Sequence, residues 1–173
     1  MTVATTERLH LRRITPDDAP WALRLLNEPS FIANIADRGV RTVAEAARYL
    51  EAGPIASYAK HGYGMYVVEL QATGEPLGMC GLVRRKSLDQ ADLGYAFFPA
   101  HWGRGYAREA AAASVEIASG LDLPYLLAIV NSDNEPSIRL LEALGFRAES
   151  QIRLEPEAEL IELYRLDLPS ETT

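Results

Sequence analysis

"PAHWGRGYAREAAAAS", residues 99–114, is the stretch whose reading decides the fold. Gly103 and Gly105 flank Arg104, and Ala107 opens an alanine-rich run. Glycine inside a helix costs about 1 kcal/mol relative to alanine, so two glycines just before a strong helix former belong at its start. The first N–H groups of a helix have no partner within it and carry the positive end of its dipole. Small residues leave those groups bare, and Arg104 and Arg108 add positive charge beside them. The run "ADLGYAFF" (91–98) just before reads as a strand, so the whole has the form of a strand–glycine loop–helix anion site. A tight turn into a helix is the other reading of a lone Gly-x-Gly. Two phosphate motifs are excluded: no Gly-Lys-Ser/Thr follows, and the dinucleotide pattern fails at Arg108.

Upstream, "ERLHLRRI" (7–14) alternates as a half-buried strand. "TPDD" then starts a helix, with Thr15 as cap and Asp18 as the reciprocal acid, ending near Pro29. A second helix opens at Thr42 with Glu45 and runs to about Gly53; the connection between the two helices reads as long and irregular. Strands are expected at 64–70 and 75–85, joined by the hairpin signal "QATG". Downstream come a helix at 107–120, a continuous apolar strand at 124–130, a helix at 134–146 capped by Asn134, and alternating stretches near 147–154 and 159–168. The strand–helix–strand unit at 91–130 should be parallel and right-handed, and the briefly joined neighbours antiparallel. The result is an α/β (α+β mixed) fold: a mixed sheet of about seven strands with helices on both faces, in a single domain spanning 1–173.

The chain has 173 residues, 48% hydrophobic and 24% charged, which suits an ordinary globular core. Its formal net charge of -7 argues against general nucleic-acid binding, which needs a basic surface. No apolar signal segment opens the sequence and no run reaches the ~18 apolar residues of a membrane span, so a cytoplasmic protein without membrane partners is expected. The one cysteine, Cys80, reads as a buried strand thiol rather than a nucleophile. His10, His61 and His101 are scattered, so no metal site is expected.

The run "GYAFFPAHWGRGYAREA", the helix and buried strand after it, and "NSDNEPSIRLLEALGF" together resemble the GNAT superfamily of acyl-CoA-dependent N-acyltransferases, in particular its RimJ/RimL-like branch. "TERLHLRRITPDDA" and the "LGF" ending at Phe146 also match that branch. The general loop pattern, Gln/Arg-x-x-Gly-x-Gly/Ala, stands here as Trp102-Gly103-Arg104-Gly105-Tyr106-Ala107; an aromatic first position is usual in the branch. The resemblance implies a GNAT-like fold whose two central parallel strands, 91–98 and 124–130, splay apart to admit acetyl-CoA. It implies a bulged first strand whose backbone groups near Phe97 and Phe98 pair with the pantetheine, and a diphosphate resting on the amides from Gly103 to Arg108.

Asn134 would contact the cofactor arm as well as cap its helix. Many relatives place a proton-donating tyrosine where this chain has Leu141; in the branch a serine has that part, and Ser137 is the matching residue. A solvent-facing first-turn serine is the competing reading of Ser137. Asp92 and Glu69 are the candidate general bases, with ordinary strand-end charge as the alternative for each.

The expected activity is acetyl transfer from acetyl-CoA directly to a primary amine, foremost a protein or peptide N-terminal amine. A small amine (amino acid, polyamine or antibiotic) is the alternative acceptor, and a non-catalytic acyl-CoA-binding protein the alternative class. Acceptor specificity is assigned to the first two helices, their connection at 29–42, and loops at 53–63 and 155–158, with Tyr58 and Tyr63 as cleft walls or surface packing. A monomer or homodimer is expected.

Overall fold

The structure, a computed structural model, describes residues 1–169. One mixed sheet carries the strands β1 (Thr2–Thr5), β2 (Leu9–Arg13), β3 (Met65–Leu70), β4 (Pro76–Val83), β5 (Asp92–Phe97), β6 (Tyr125–Val130), β7 (Arg147–Ile152) and β8 (Ile161–Asp167). Their spatial order is β1-β2-β3-β4-β5-β6-β8-β7. Every neighbouring pair is antiparallel except β5–β6, which is parallel as its helical crossover requires. The expected seven strands are therefore eight. β1 adds an edge by pairing Thr2 with Arg12 and Thr5 with His10. Four half-exposed residues give too short a pattern to read as a strand.

Helices α1 (Ala19–Leu26), α2 (Pro29–Asn34) and α3 (Val43–Leu50) cover one face of the sheet. Their apolar sides bury Trp21, Leu25, Leu26, Phe31 and Leu50 against Val67 and Met79. Helices α5 (Tyr106–Ser119) and α6 (Glu135–Ala143) cover the other, around Leu9, Leu11, Val68, Leu93, Ala110, Leu141 and Phe146. Strand residues one apart thus serve opposite cores: Val67 packs under α1 and α3, Val68 under α5. Burying a leucine such as Leu25 or Leu141 contributes about 2 kcal/mol.

A short 3-10 turn at Pro16–Asp18 precedes α1, and Asp18 organises it. Its carboxylate accepts the Thr15 N–H at 2.8 Å, the Trp21 indole N–H at 2.8 Å, and both Arg12 guanidinium nitrogens at 2.9 and 2.8 Å. The second capping signal also forms: Thr42 Oγ1 accepts the Glu45 N–H at 3.1 Å.

Two expected boundaries differ. The stretch after Pro29 is not irregular throughout, because Pro29–Asn34 forms α2. The second helix does not stop at Gly53: a wider π-type turn at Glu51–Ile55 takes up Pro54, and α4 (Ala56–His61) continues to Gly62. Among the described residues no helix is long and apolar enough to cross a membrane.

Candidate active site

The glycine pair sits where the chain turns from β5 into α5. Gly103 (φ +75°) and Gly105 (φ +80°) both adopt the left-handed conformation. A side chain at either position meets little: nothing lies within 4 Å of a Cβ on Gly103, and only an Arg8 nitrogen at 3.4 Å on Gly105. Backbone conformation, not space, is what selects glycine here, at about 1–2 kcal/mol per substituted residue.

Among the described residues, no backbone N–H from Gly103 through Arg108 has a hydrogen-bond partner; the first to find one is Glu109, bonded to the Gly105 carbonyl at 3.1 Å. Six consecutive amides are thus free at a helix start. Trp102, Arg104 and Arg108 lie exposed around them, with Tyr106 and Ala107 half-buried beneath.

Strand β5 leads to this mouth alongside β6, and the two share a single paired position, Asp92 with Leu127. The Leu127 N–H reaches the Ala91 carbonyl at 3.0 Å, and beyond this apex the strands diverge. The expected bulge in β5 is absent: β4 and β5 run in regular register from Gly78–Phe97 to Val83–Asp92. The irregularity lies on the other side of β4, against β3.

Pairing parity then decides which groups face the splay. The Phe98 N–H donates to the Leu77 carbonyl at 3.0 Å, and antiparallel alternation turns the N–H and C=O groups of Tyr95 and Phe97 the opposite way. Of the four Phe97 and Phe98 groups expected to be free, three are engaged. The Phe98 carbonyl accepts from His101 N–H at 2.9 Å, and the Phe97 carbonyl from the Trp102 indole at 3.0 Å. Only the Phe97 N–H is left, directed into the splay.

Helix α6 borders the splay from the α5 side. Asn134 caps it, its side-chain oxygen accepting the Ser137 N–H over a long 3.4 Å. Leu141 is buried to 2% exposure in the core and has no proton to give. The Ser137 hydroxyl meets Tyr95 of β5, whose phenol donates to Ser137 Oγ at 2.9 Å. This bond spans the splay between strand and helix.

Asp92 stands at the apex, 1% exposed. One carboxylate oxygen accepts from Arg85 Nε at 3.0 Å, and the other, Oδ2, is buried without a partner among the described residues. Burial pushes this carboxyl up to about 6, against the lowering pull of Arg85. Glu69 is different: it is held by Arg12 at 3.1 Å, within the Asp18 cluster on β3, and β4 separates it from β5 and the splay. Tyr58 and Tyr63 are core residues, 8% and 6% exposed, and the Tyr58 hydroxyl accepts the Ile14 N–H at 2.9 Å while donating to the Met65 carbonyl. Cys80 is fully buried, and burial raises its thiol to about 12, too high for a nucleophile at neutral pH.

A family model described as an acetyltransferase (GNAT) domain matches residues 8–147. The chain belongs to the GNAT acetyltransferase family. It is 30% identical over 161 residues to the YkkB protein of Bacillus subtilis (strain 168), across 88% of this chain and 89% of that one. A crystal structure of an acetyltransferase from Agrobacterium tumefaciens is 27% identical, with a TM-score of 0.77 over 94% of this chain and 92% of that one. RimL, a ribosomal L7/L12 α-N-protein acetyltransferase solved in complex with coenzyme A, shares the fold with a TM-score of 0.82 over 97% and 98%, at 16% identity. This GNAT chain is accordingly an N-acetyltransferase.

Two groups at the GNAT site escaped the sequence. Tyr95 lies 42 residues from Ser137, and only the folded sheet brings them together. Arg8 reaches the Arg104 carbonyl at 2.9 Å and lies over the Tyr106 ring at 4.5 Å. The "TER" run at residues 6–8 is the sequence signal that contains it.

Proposed function

We propose that this acetyltransferase uses acetyl-CoA as donor and moves the acetyl group directly to a primary amine, with a protein or peptide N-terminal α-amine as acceptor. One observation carries the reading: the β5–β6 splay opens directly onto six unpartnered amides, the shape and charge that an extended diphosphate-bearing thioester needs. The donor supplies an activated acetyl thioester, and the residues present fit it. The amides from Gly103 to Arg108 hold the diphosphate, with Arg104, Arg108, Trp102, Tyr106 and Ala107 around them. The Phe97 N–H faces the arm, and Asn134 borders it. A backbone donor aimed at the oxygen that becomes negative during attack is worth roughly 3 kcal/mol. Phe98 contributes through packing, not through its committed backbone groups.

Asp92 is the proposed base, acting through water from its unpartnered oxygen. An α-amine titrates near 8, so it needs little help to become nucleophilic, whereas a lysine at about 10.4 needs more. Ser137 is the proposed proton donor to the departing thiolate, since Leu141 has no proton to give. The choice of a peptide amine rests on the RimJ/RimL-like features of the sequence and on the fold shared with RimL.

The test is thiol release from acetyl-CoA over an acceptor panel. Release with peptides carrying a free N-terminus, and none with the same peptides N-acetylated, is the expected result. Release only with polyamines, amino acids or aminoglycosides moves the acceptor to small molecules. Tight coenzyme A binding without release to any amine reduces the protein to a binding module.

A further inference from the structure

The Tyr95–Ser137 bond carries an inference that rests on the reading above and deepens it. Two serines of α5 turn their hydroxyls onto their own helix backbone: Ser114 donates to the Ala110 carbonyl at 3.0 Å and Ser119 to the Val115 carbonyl at 3.1 Å. Ser137 does not, because it stands in the first turn of α6. Its oxygen accepts from Tyr95, and among the described residues no acceptor takes its proton. The hydroxyl is therefore oriented by one partner and free to donate to a second.

A serine hydroxyl is a far weaker acid than a thiol, so passing its proton to a thiolate and keeping the alkoxide is steeply uphill. A tyrosine phenol is a far closer acid to a thiol than a serine hydroxyl is, even with burial raising Tyr95. We infer that Tyr95 is the positioning residue that makes Ser137 a usable acid, and the source from which the Ser137 proton is replaced. The amine nitrogen bonds to the acetyl carbon, and the carbon–sulfur bond breaks with its electron pair going to sulfur. The Ser137 proton goes to sulfur, the Tyr95 proton to the Ser137 oxygen, and solvent water returns a proton to the phenolate after the thiol departs. The groups facing the phenol are the Ser137 hydroxyl from α6 and the buried Cys80 thiol from β4, whose own neighbour is Ser114 of α5. Among the described residues no charged side chain acts on the phenol; its neighbours there are the Ser137 hydroxyl and the Cys80 thiol. Burial, the larger influence, raises the phenol while the Ser137 bond lowers it, which keeps Tyr95 protonated between turnovers.

Tyr95→Phe removes one oxygen and keeps the ring. The single-turnover rate of acetyl transfer to the best amine of the panel is expected to fall by about 10- to 100-fold. Coenzyme A affinity by calorimetry and the melting temperature should stay unchanged. Ser137→Ala should lose at least as much, and the double variant should be no slower than Ser137→Ala, since Tyr95 acts only through the serine. The bound coenzyme A thiol, followed by thiolate absorbance against pH, should titrate higher in Tyr95→Phe than in the wild type. Multiplying losses in the double variant, or an unchanged rate and thiol titration in Tyr95→Phe, overturns the relay while leaving acetyl transfer intact. A wild type that binds coenzyme A but acetylates no amine overturns both.

Discussion

Arg8 and Glu109, 101 residues apart, are locked together: the Arg8 N–H reaches Glu109 Oε1 at 2.9 Å, and Arg8 Nε and Nη2 each lie 2.7 Å from Oε2. Thr6 adds a hydroxyl at 2.6 Å. Burial alone would raise Glu109, but the bonds from Thr6 and Arg8 outweigh it and hold the carboxyl below its usual range. The pair answers a problem of the site, which is a carboxylate in the first turn of the helix whose amides are to hold an anion. Arg8 cancels that charge and, through its 2.9 Å bond to the Arg104 carbonyl, fixes the glycine loop.

Arg8→Ala should therefore weaken coenzyme A binding by about tenfold or more, roughly 1.4 kcal/mol. Adding Glu109→Gln should restore part of the loss by removing the unpaired charge. Calorimetry on the two variants checks this. Equal affinities in wild type and Arg8→Ala would make the clamp a surface feature only.

Asp92 makes the pH dependence specific. With its carboxyl raised to about 6, the proposed base is neutral below that pH and ionised above it. The rate under kcat/KM conditions should rise through about pH 6 and again as the amine deprotonates near 8. Asp92→Asn should abolish the lower limb and slow transfer by about 100-fold. The linkage runs the other way for stability: a raised folded value means that Asp92 favours the fold below its unfolded pKa, and that this contribution is lost as pH rises through about 6. Asp92→Asn should thus be as stable as wild type, or more so, at pH 8 in urea unfolding.

Much of this was legible in the sequence, and the failures have local causes. The glycine loop, β5, α5, β6 and α6 announce themselves by periodicity and caps over consecutive residues. The end of the second helix was misplaced because Gly53-Pro54 reads as a stop, whereas a π-type turn absorbs the proline. Which backbone groups of Phe97 and Phe98 face the cleft is not legible in the sequence, because it depends on pairing parity, fixed here by the Phe98–Leu77 bond between separate strands. Tyr95 stayed hidden for the same reason: its partner lies on α6, beyond the whole crossover.

Asp18 supplies a stability test away from the site. Burial would raise its carboxyl, but hydrogen bonds from Arg12, Thr15 and Trp21 together lower it. A lowered folded value contributes stability above the unfolded value near 3.9, and that contribution is lost as pH falls through the folded one. Asp18→Ala leaves Arg12 half-buried with Glu69 as its one carboxylate partner among the described residues, and should cost about 3 kcal/mol at pH 7, with a smaller difference in acid. Urea midpoints at pH 7 and pH 3 measure both values, and an equal loss at the two would contradict the ionic account.

The most direct measurement is calorimetry of acetyl-CoA with the wild type and with Gly105→Asp, which puts a carboxylate among the six free amides. Saturable binding at one site per chain, lost in the variant while it still melts cooperatively, is the expected result. No binding heat in the wild type, or undiminished affinity in Gly105→Asp, would contradict the placement of the donor's diphosphate at the start of α5.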